Sequence, residues 1–236
     1  GRRRPGAVAV ADAPAHQLTR QETHVKIYDL TLPIHPDMLH WGKKPEIHIV
    51  ESIERGDASN VTRWLIGAHT GTHVDAPHHF VNGAQAVDEI ELETLVGQTA
   101  VVDMLGVEGD ITVDDLEAAG VRGKERVLFK TTNSAPGGPL HLTEKVPDWV
   151  GVTPDAAQWI VDNGVKLVGI DYLTIEAPSH TDTWKTHDVL LRAGVIIVEN
   201  LVLTDVPAQE HFMVCLPAKL KGADGAFART VLIDQD

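Results

Sequence analysis

The twelve residues HTGTHVDAPHHF, positions 69–80, contain four histidines, an aspartate, a glycine and a proline. His69, His73 and Asp75 offer two imidazoles and a carboxylate, a donor set suited to zinc, manganese or another borderline divalent cation. The histidines stand four apart, as in helical metal motifs, but Gly71 and Pro77 oppose a regular helix here. A strand running into a tight loop is the expected frame. Gly71 would allow an unusual backbone angle or a close approach to the site, and Thr72 a hydrogen bond within the loop. An isolated H-x-x-x-H pair is most often a polar turn; the company of Asp75, Pro77, His78 and His79 favours a metal site.

A second carboxylate stands out on physical grounds. Glu199 ends the apolar run VIIVE, where an ionised group is costly if buried without partners, and a cation would offset that cost. Emergence into solvent at a strand end explains it equally well. His187 by itself reads as a helix-start or surface histidine.

The frame for these residues is a mixed α/β domain. VKIYDLTL, EIHIVESI and VTRWLIGA alternate and carry β-branched residues, and TAVVDML and RVLFKT are strand-like too. Later the rhythm turns to helix then strand. TPDAAQWIVDNG has Thr153 as N-cap, Pro154 at the first helical position and Gly164 as the stop; VKLVGID follows. KTHDVLLRAG leads to VIIVENL in the same way, and TVDDLEAAG is a third short helix. One domain is expected over residues 25–236, with residues 1–24 as a tail or an arm across a neighbouring subunit; a cleavable signal is the weaker reading, because Asp12 interrupts a short apolar run.

With 34 acidic and 20 basic side chains the net charge is -14, which argues against a nucleic-acid partner. No apolar run is long enough to span a bilayer. The single cysteine, Cys215, precludes an intrachain disulfide and makes a reducing cytoplasm the simplest location. Within FMVCLP it reads as a buried strand thiol. Ser134 lacks a G-x-S-x-G context. The Gly/Pro-rich NSAPGGPLHL reads as a mobile surface loop, Trp64 as core, and Asp171 as either a turn residue or an acceptor behind the site. His180 and Trp184 face either a pocket or solvent.

The string H-T-G-T-H-V-D-A-P-H-H resembles the H-x-G-T-H-x-D-x-P-x-H signature of the metal-dependent cyclase family, which includes bacterial kynurenine formamidases and isatin hydrolases. IYDLTLPI, GIDYLTIEAP and THDVLLRAGVIIVENL extend the likeness from about Val25 to the C-terminus. The resemblance implies a layered domain of the swivelling β/β/α type. It makes His69, His73 and Asp75 metal ligands and His79 the catalytic histidine, with His78 at a variable position. It adds His187 and Glu199 as a second ligand set, so that Asp75 bridges when two ions bind rather than one, zinc or manganese being the expected metals. It implies a homodimer or homotetramer acting on a small molecule. The activity it implies is hydrolysis of an aryl formamide such as N-formylkynurenine by metal-activated water. Opening of a cyclic amide or lactone, as with isatin, is the nearest alternative; a non-hydrolytic cyclase or dehydratase, or a purely structural metal module, are further ones. The family's Trp-Pro-Gly-Asp-Pro-like stretch is altered here to HWGKKPEI, in which Trp41 remains as a candidate substrate-binding wall.

Overall fold

A computed structural model describes residues 25–235; the reading of residues 1–24 lies outside them. The strands are β1 (Val25–Asp29), β2 (Glu46–Glu51), β3 (Val61–Leu65), β4 (His73–Asp75), β5 (Val96–Asp103), β6 (Asp110–Ile111), β7 (Arg126–Lys130), β8 (Gly151–Val152), β9 (Leu167–Ile170), β10 (Ile196–Glu199), β11 (Glu210–Pro217) and β12 (Gly225–Gln235). The helices are α1 (Leu92–Leu95), α2 (Val113–Ala118), α3 (Pro154–Asp162) and α4 (Lys185–Arg192). The main sheet runs β1-β12-β11-β5-β7-β9-β10-β4, and β4 also pairs with the start of β12. That last pairing closes the sheet into a barrel-like ring. Strands β5, β7, β9 and β10 are parallel to one another; β4, β11 and β12 join antiparallel.

Side chains alternate across a strand, so a strand buried on both faces feeds two cores. Val101, Leu128, Leu167, Ile196 and Val198 point into the ring with Leu30, Val74 and Met213. Their neighbours Val102, Val127, Phe129, Val168 and Ile197 point outward against Leu116, Ile160 and Leu190 of α2, α3 and α4. This is the mixed α/β arrangement expected. The helix signals hold as well. The Thr153 hydroxyl accepts from Ala156 N at the start of α3. Thr112 and Asp115 exchange hydrogen bonds at the start of α2, a capping box with aspartate in the acidic position.

Two expectations fail. Trp64 is not core: it lies on β3, which among the described residues pairs only with β2 in a separate two-stranded sheet, and it is 40% exposed. Alternation identifies a strand without showing whether either face is covered. NSAPGGPLHL is not a free loop at its start, for Asn133 and Ser134 are fully buried. Asp171 holds them there, accepting from Thr131 N at 3.0 Å, Thr131 Oγ1 at 2.6 Å and Ser134 Oγ at 2.7 Å. Of its two readings Asp171 therefore takes the turn-holding one. Cys215 is the buried strand thiol expected, and burial pushes its pKa up to about 11. No helix among the described residues is long and apolar enough to cross a membrane.

The two-layer packing predicts unequal costs for truncation. Phe129→Ala should lose about 3–5 kcal/mol of unfolding free energy, whereas Leu92→Ala, at the exposed start of α1, should stay within about 0.5 kcal/mol. Urea denaturation of both variants checks this; equal losses would refute the layer assignment.

Candidate metal centre

His73 and Asp75 occupy alternate positions of β4, so their side chains share one face while Val74 enters the ring core. Glu199 ends β10 directly opposite His73 in the antiparallel register. The pairing thus sets the second carboxylate beside the first ligand pair. Glu199 does not emerge into solvent; it is buried and accepts from Ile175 N at 2.7 Å. His187 arrives from the first turn of α4 and is buried as well.

The tight turn before β4 depends on Gly71, at φ 64, where an added Cβ would sit 2.9 Å from Ile34 Cγ1. Thr72 ties that turn down, donating to Asn200 O at 2.6 Å and accepting from Leu32 N at 2.8 Å. Asn200 itself adopts a left-handed backbone (φ 57), which asparagine tolerates better than most residues, and its Nδ2 donates to Gly71 O.

Each of the three proposed ligand histidines has one ring nitrogen turned inward and the other engaged from outside. His69 Nδ1 lies 2.6 Å from Asp75 Oδ1, and its Nε2 lies 2.8 Å from Asp224 Oδ2. His73 Nε2 lies 3.3 Å from Asp75 and 3.5 Å from Glu199, while Nδ1 donates to Gly71 O at 2.8 Å. His187 Nε2 lies 3.1 Å from Glu199 and 3.8 Å from Asp75, while Nδ1 donates to Glu176 Oε2 at 2.7 Å. Outer acceptors of this kind fix the tautomer of a metal-binding imidazole and leave its lone pair facing the ion. Ligand atoms of His69, His73 and Asp75 lie within 4.8 Å of one another, as do those of Asp75, His187 and Glu199. The donor set fits two adjacent divalent cations with Asp75 common to both.

Burial alone would lower the two innermost imidazoles; the hydrogen bonds and charges of Asp75 and Glu199 outweigh it for His73, and those of Glu176, Glu199 and Asp75 for His187, carrying each up to about 10. Burial likewise raises Asp75, but His69 and His73 hold its carboxyl well below the usual range. Without a metal, protons on the imidazoles balance the buried carboxylates. His79 moves the other way: burial, with the charges of His69 and His187, keeps it below an ordinary histidine despite Asp75 and Asp224. It follows β4 in the short turn Pro77–His79, and its ring lies 4.1 Å from that of His69.

These groups floor a cavity of about 350 Å³, also lined by Trp41, Phe80, Thr174 and Trp184. Trp41 and Trp184 meet edge to face at 5.4 Å, and Phe80 stacks on His187 at 5.1 Å. Trp184 has φ 50, an outlier for a bulky side chain, at the residue that opens α4. Of the two histidine and tryptophan positions left open by sequence, Trp184 faces the cavity, while His180 bonds its neighbour Ser179 instead. His78 is absent from the cavity wall.

Glu176 and Asp224 escaped the sequence reading. Glu176 is fully buried and accepts from Thr186 N at 2.8 Å, His187 N at 3.2 Å and His187 Nδ1. It caps α4 from another segment and orients the histidine on it. An acid after the apolar YLTI carries the same signal as Glu199 and could have been found by it. Asp224, in KGADGAF, looks like any turn residue.

The Cyclase family model matches residues 28–177. Kynurenine formamidase of Erythrobacter litoralis is 31% identical over 209 residues, covering 88% of this chain and 93% of that protein. A solved structure described as a potential metal-dependent hydrolase with cyclase activity superposes with a TM-score of 0.77 at 37% identity, covering 90% of this chain and 100% of its own. Isatin hydrolase A of Labrenzia aggregata superposes at 0.78 with 23% identity, over 90% of this chain and 94% of its own, a likeness of fold.

Because ion-free His73 and His187 hold their protons up to about 10, and an ion requires the neutral ring, cation uptake at pH 7 should release protons and tighten as pH rises. Calorimetry in buffers of different ionisation enthalpy reads this directly; uptake without proton release would contradict it. Glu176→Gln should weaken chelator-measured affinity by about 10–100-fold.

Proposed function

This chain belongs to the cyclase family, and within it we propose a metal-dependent hydrolase of a small amide, an aryl formamidase acting on N-formylkynurenine or a close analogue. The observation that carries the reading is the convergence of inward-facing imidazoles and two buried carboxylates beneath an aromatic-lined cavity, with His79, which belongs to neither of the two ligand sets on Asp75, beside them. The formamidase likeness in Erythrobacter litoralis supports the substrate class.

His69, His73 and Asp75 would hold one divalent cation, and Asp75, His187 and Glu199 a second; zinc and manganese suit this set. Such a cation, when bound, acts as a Lewis acid on a carbonyl oxygen and makes water more acidic. The protein's own residues do the rest. Trp41 and Trp184 offer flat apolar faces to an aryl ring and exclude water from around it. His79, held below the ordinary histidine range, is neutral near pH 7 and able to take a proton from the attacking water. A cation beside it acts in the same direction. His79 then returns the proton to the leaving nitrogen as the carbon–nitrogen bond breaks, giving formate and the free arylamine.

A homodimer or homotetramer and a cytoplasmic location belong to this proposal. The exposed apolar side chains Ile49, Val50 and Leu65 of the β2–β3 hairpin support self-association, and the buried free thiol of Cys215 suits a reducing compartment.

Metal-stripped protein should release no formate from N-formylkynurenine and should regain turnover on addition of zinc or manganese. His79→Ala should lower kcat by about 10²–10⁴-fold with metal content retained. Ring opening of isatin without formate release from the formamide would move the assignment to cyclic amides. Equal loss of metal and activity in His79→Ala would make that residue a ligand instead.

A further inference from the structure

One carboxylate outside both ligand sets touches the metal side and the proton-transfer side of the site together. Asp224 Oδ2 lies 2.8 Å from His69 Nε2 and 3.5 Å from His79 Nδ1. Its place is set by the backbone. Gly225 pairs with Asp75 in the β12–β4 register, and Ala76 N donates to Asp224 O at 3.0 Å. Gly225 permits this approach, since a Cβ there would sit 2.6 Å from Val74 O and 2.8 Å from His69 Cε1. The strand that closes the ring therefore delivers a carboxylate to the outer edge of two imidazoles whose rings lie 4.1 Å apart.

We propose that Asp224 is a positioning residue that couples the metal ligand His69 to the proton carrier His79 through one shared carboxylate oxygen. The inference rests on the metal-hydrolase reading of the site. On the His69 side, Asp224 accepts the Nε2 proton and so presents the Nδ1 lone pair to the ion shared with Asp75. On the His79 side its charge lies 3.5 Å from Nδ1, longer than the bond to His69, and favours a proton on that nitrogen, leaving Nε2 to exchange protons with substrate and water. His69, His79 and Asp224 also lie close enough together to suit an ion of their own. A neutral imidazole has a single lone pair, however, so a His69 that binds through Nδ1 carries a proton on Nε2 and cannot serve there.

The test uses full-length, metal-loaded protein and the variants Asp224→Ala, Asp224→Asn, His79→Ala and His79→Ala/Asp224→Ala, with zinc as the probe. Asp224 is partly exposed, its side chain 46% accessible, so these changes should leave the thermal midpoint close to wild type. Asp224→Ala should bind zinc at wild-type stoichiometry but about 10–100-fold more weakly by chelator competition, and Asp224→Asn, which retains one acceptor, should fall between. In turnover, Asp224→Ala should lower kcat while KM stays within about twofold, and this loss should largely vanish in the His79→Ala background, as expected for groups that act as a unit. The affinity loss should persist in that background, because it runs through His69. Unchanged affinity would overturn the proposal, as would loss of a whole equivalent of zinc, or an equal kcat loss with and without the His79 imidazole. Absence of wild-type turnover would defeat the formamidase reading, leaving the affinity and stoichiometry results to decide the role of Asp224.

Discussion

The structure depends on keeping the Asp75 carboxylate charged at an almost fully buried position. Asp75 is 1% exposed and lies against imidazoles from His69, His73 and His187. An ionised carboxylate so placed is tolerated only when positive charge and hydrogen bonds surround it, and removal of one partner leaves the rest uncompensated. Glu199 compounds the demand, because it adds a second buried acid next to the first. Protons on the imidazoles can balance the two acids, and so can divalent cations. Only cations do so while leaving the imidazoles neutral and the ligand lone pairs in use.

The fold meets this demand through the short strand β4. Three residues long, it pairs with β10 on one side and with the start of β12 on the other, and so closes the ring. The same three residues carry His73 and Asp75 to one face and Val74 to the core. Ring closure and ligand placement are thus one event. The register that seats Val74 also sets Glu199 against His73 and brings Asp224 within reach of His69. A slip of one residue would turn His73 and Asp75 into the apolar interior, so the packing of Val74 guards the chemistry.

What sequence makes legible here is what is local in the chain. The caps of α2 and α3 and the alternation of β5 and β7 involve residues a few positions apart, and so do His69, His73 and Asp75. His187 and Glu199 were reached through resemblance, and Glu199 also through its place at the end of an apolar run. The outer partners were not reached. Asp224 is 155 positions from His69, and only the pairing of β12 with β4 relates them. Glu176 carries the same local signal as Glu199, an acid closing an apolar run, but its role as the cap of α4 emerges only from the structure, where that helix lacks a capping side chain of its own. Trp64 misled because strand periodicity says nothing of what covers a hairpin.

The cavity wall follows a different logic from its floor. The floor is built on β4, β10 and the first turn of α4, held by strand pairing and by Glu176, and admits little variation in position. The wall comes from segments outside the main sheet: Trp41 lies in the irregular stretch before β2, and Trp184 at the residue opening α4. Trp184 holds its left-handed backbone where the chain turns into the helix, so strain is stored where the cavity wall is formed rather than where the ligands converge. Trp41 is steadied by a bond from Nε1 to Leu173 O and by Lys145, whose Nζ lies 3.8 Å from the ring centre. Changes in such segments can reshape the space above the carboxylates without disturbing the pairings that hold them. On the reading proposed above, selection between substrates would fall to Trp41 and Trp184 more than to the histidine motif.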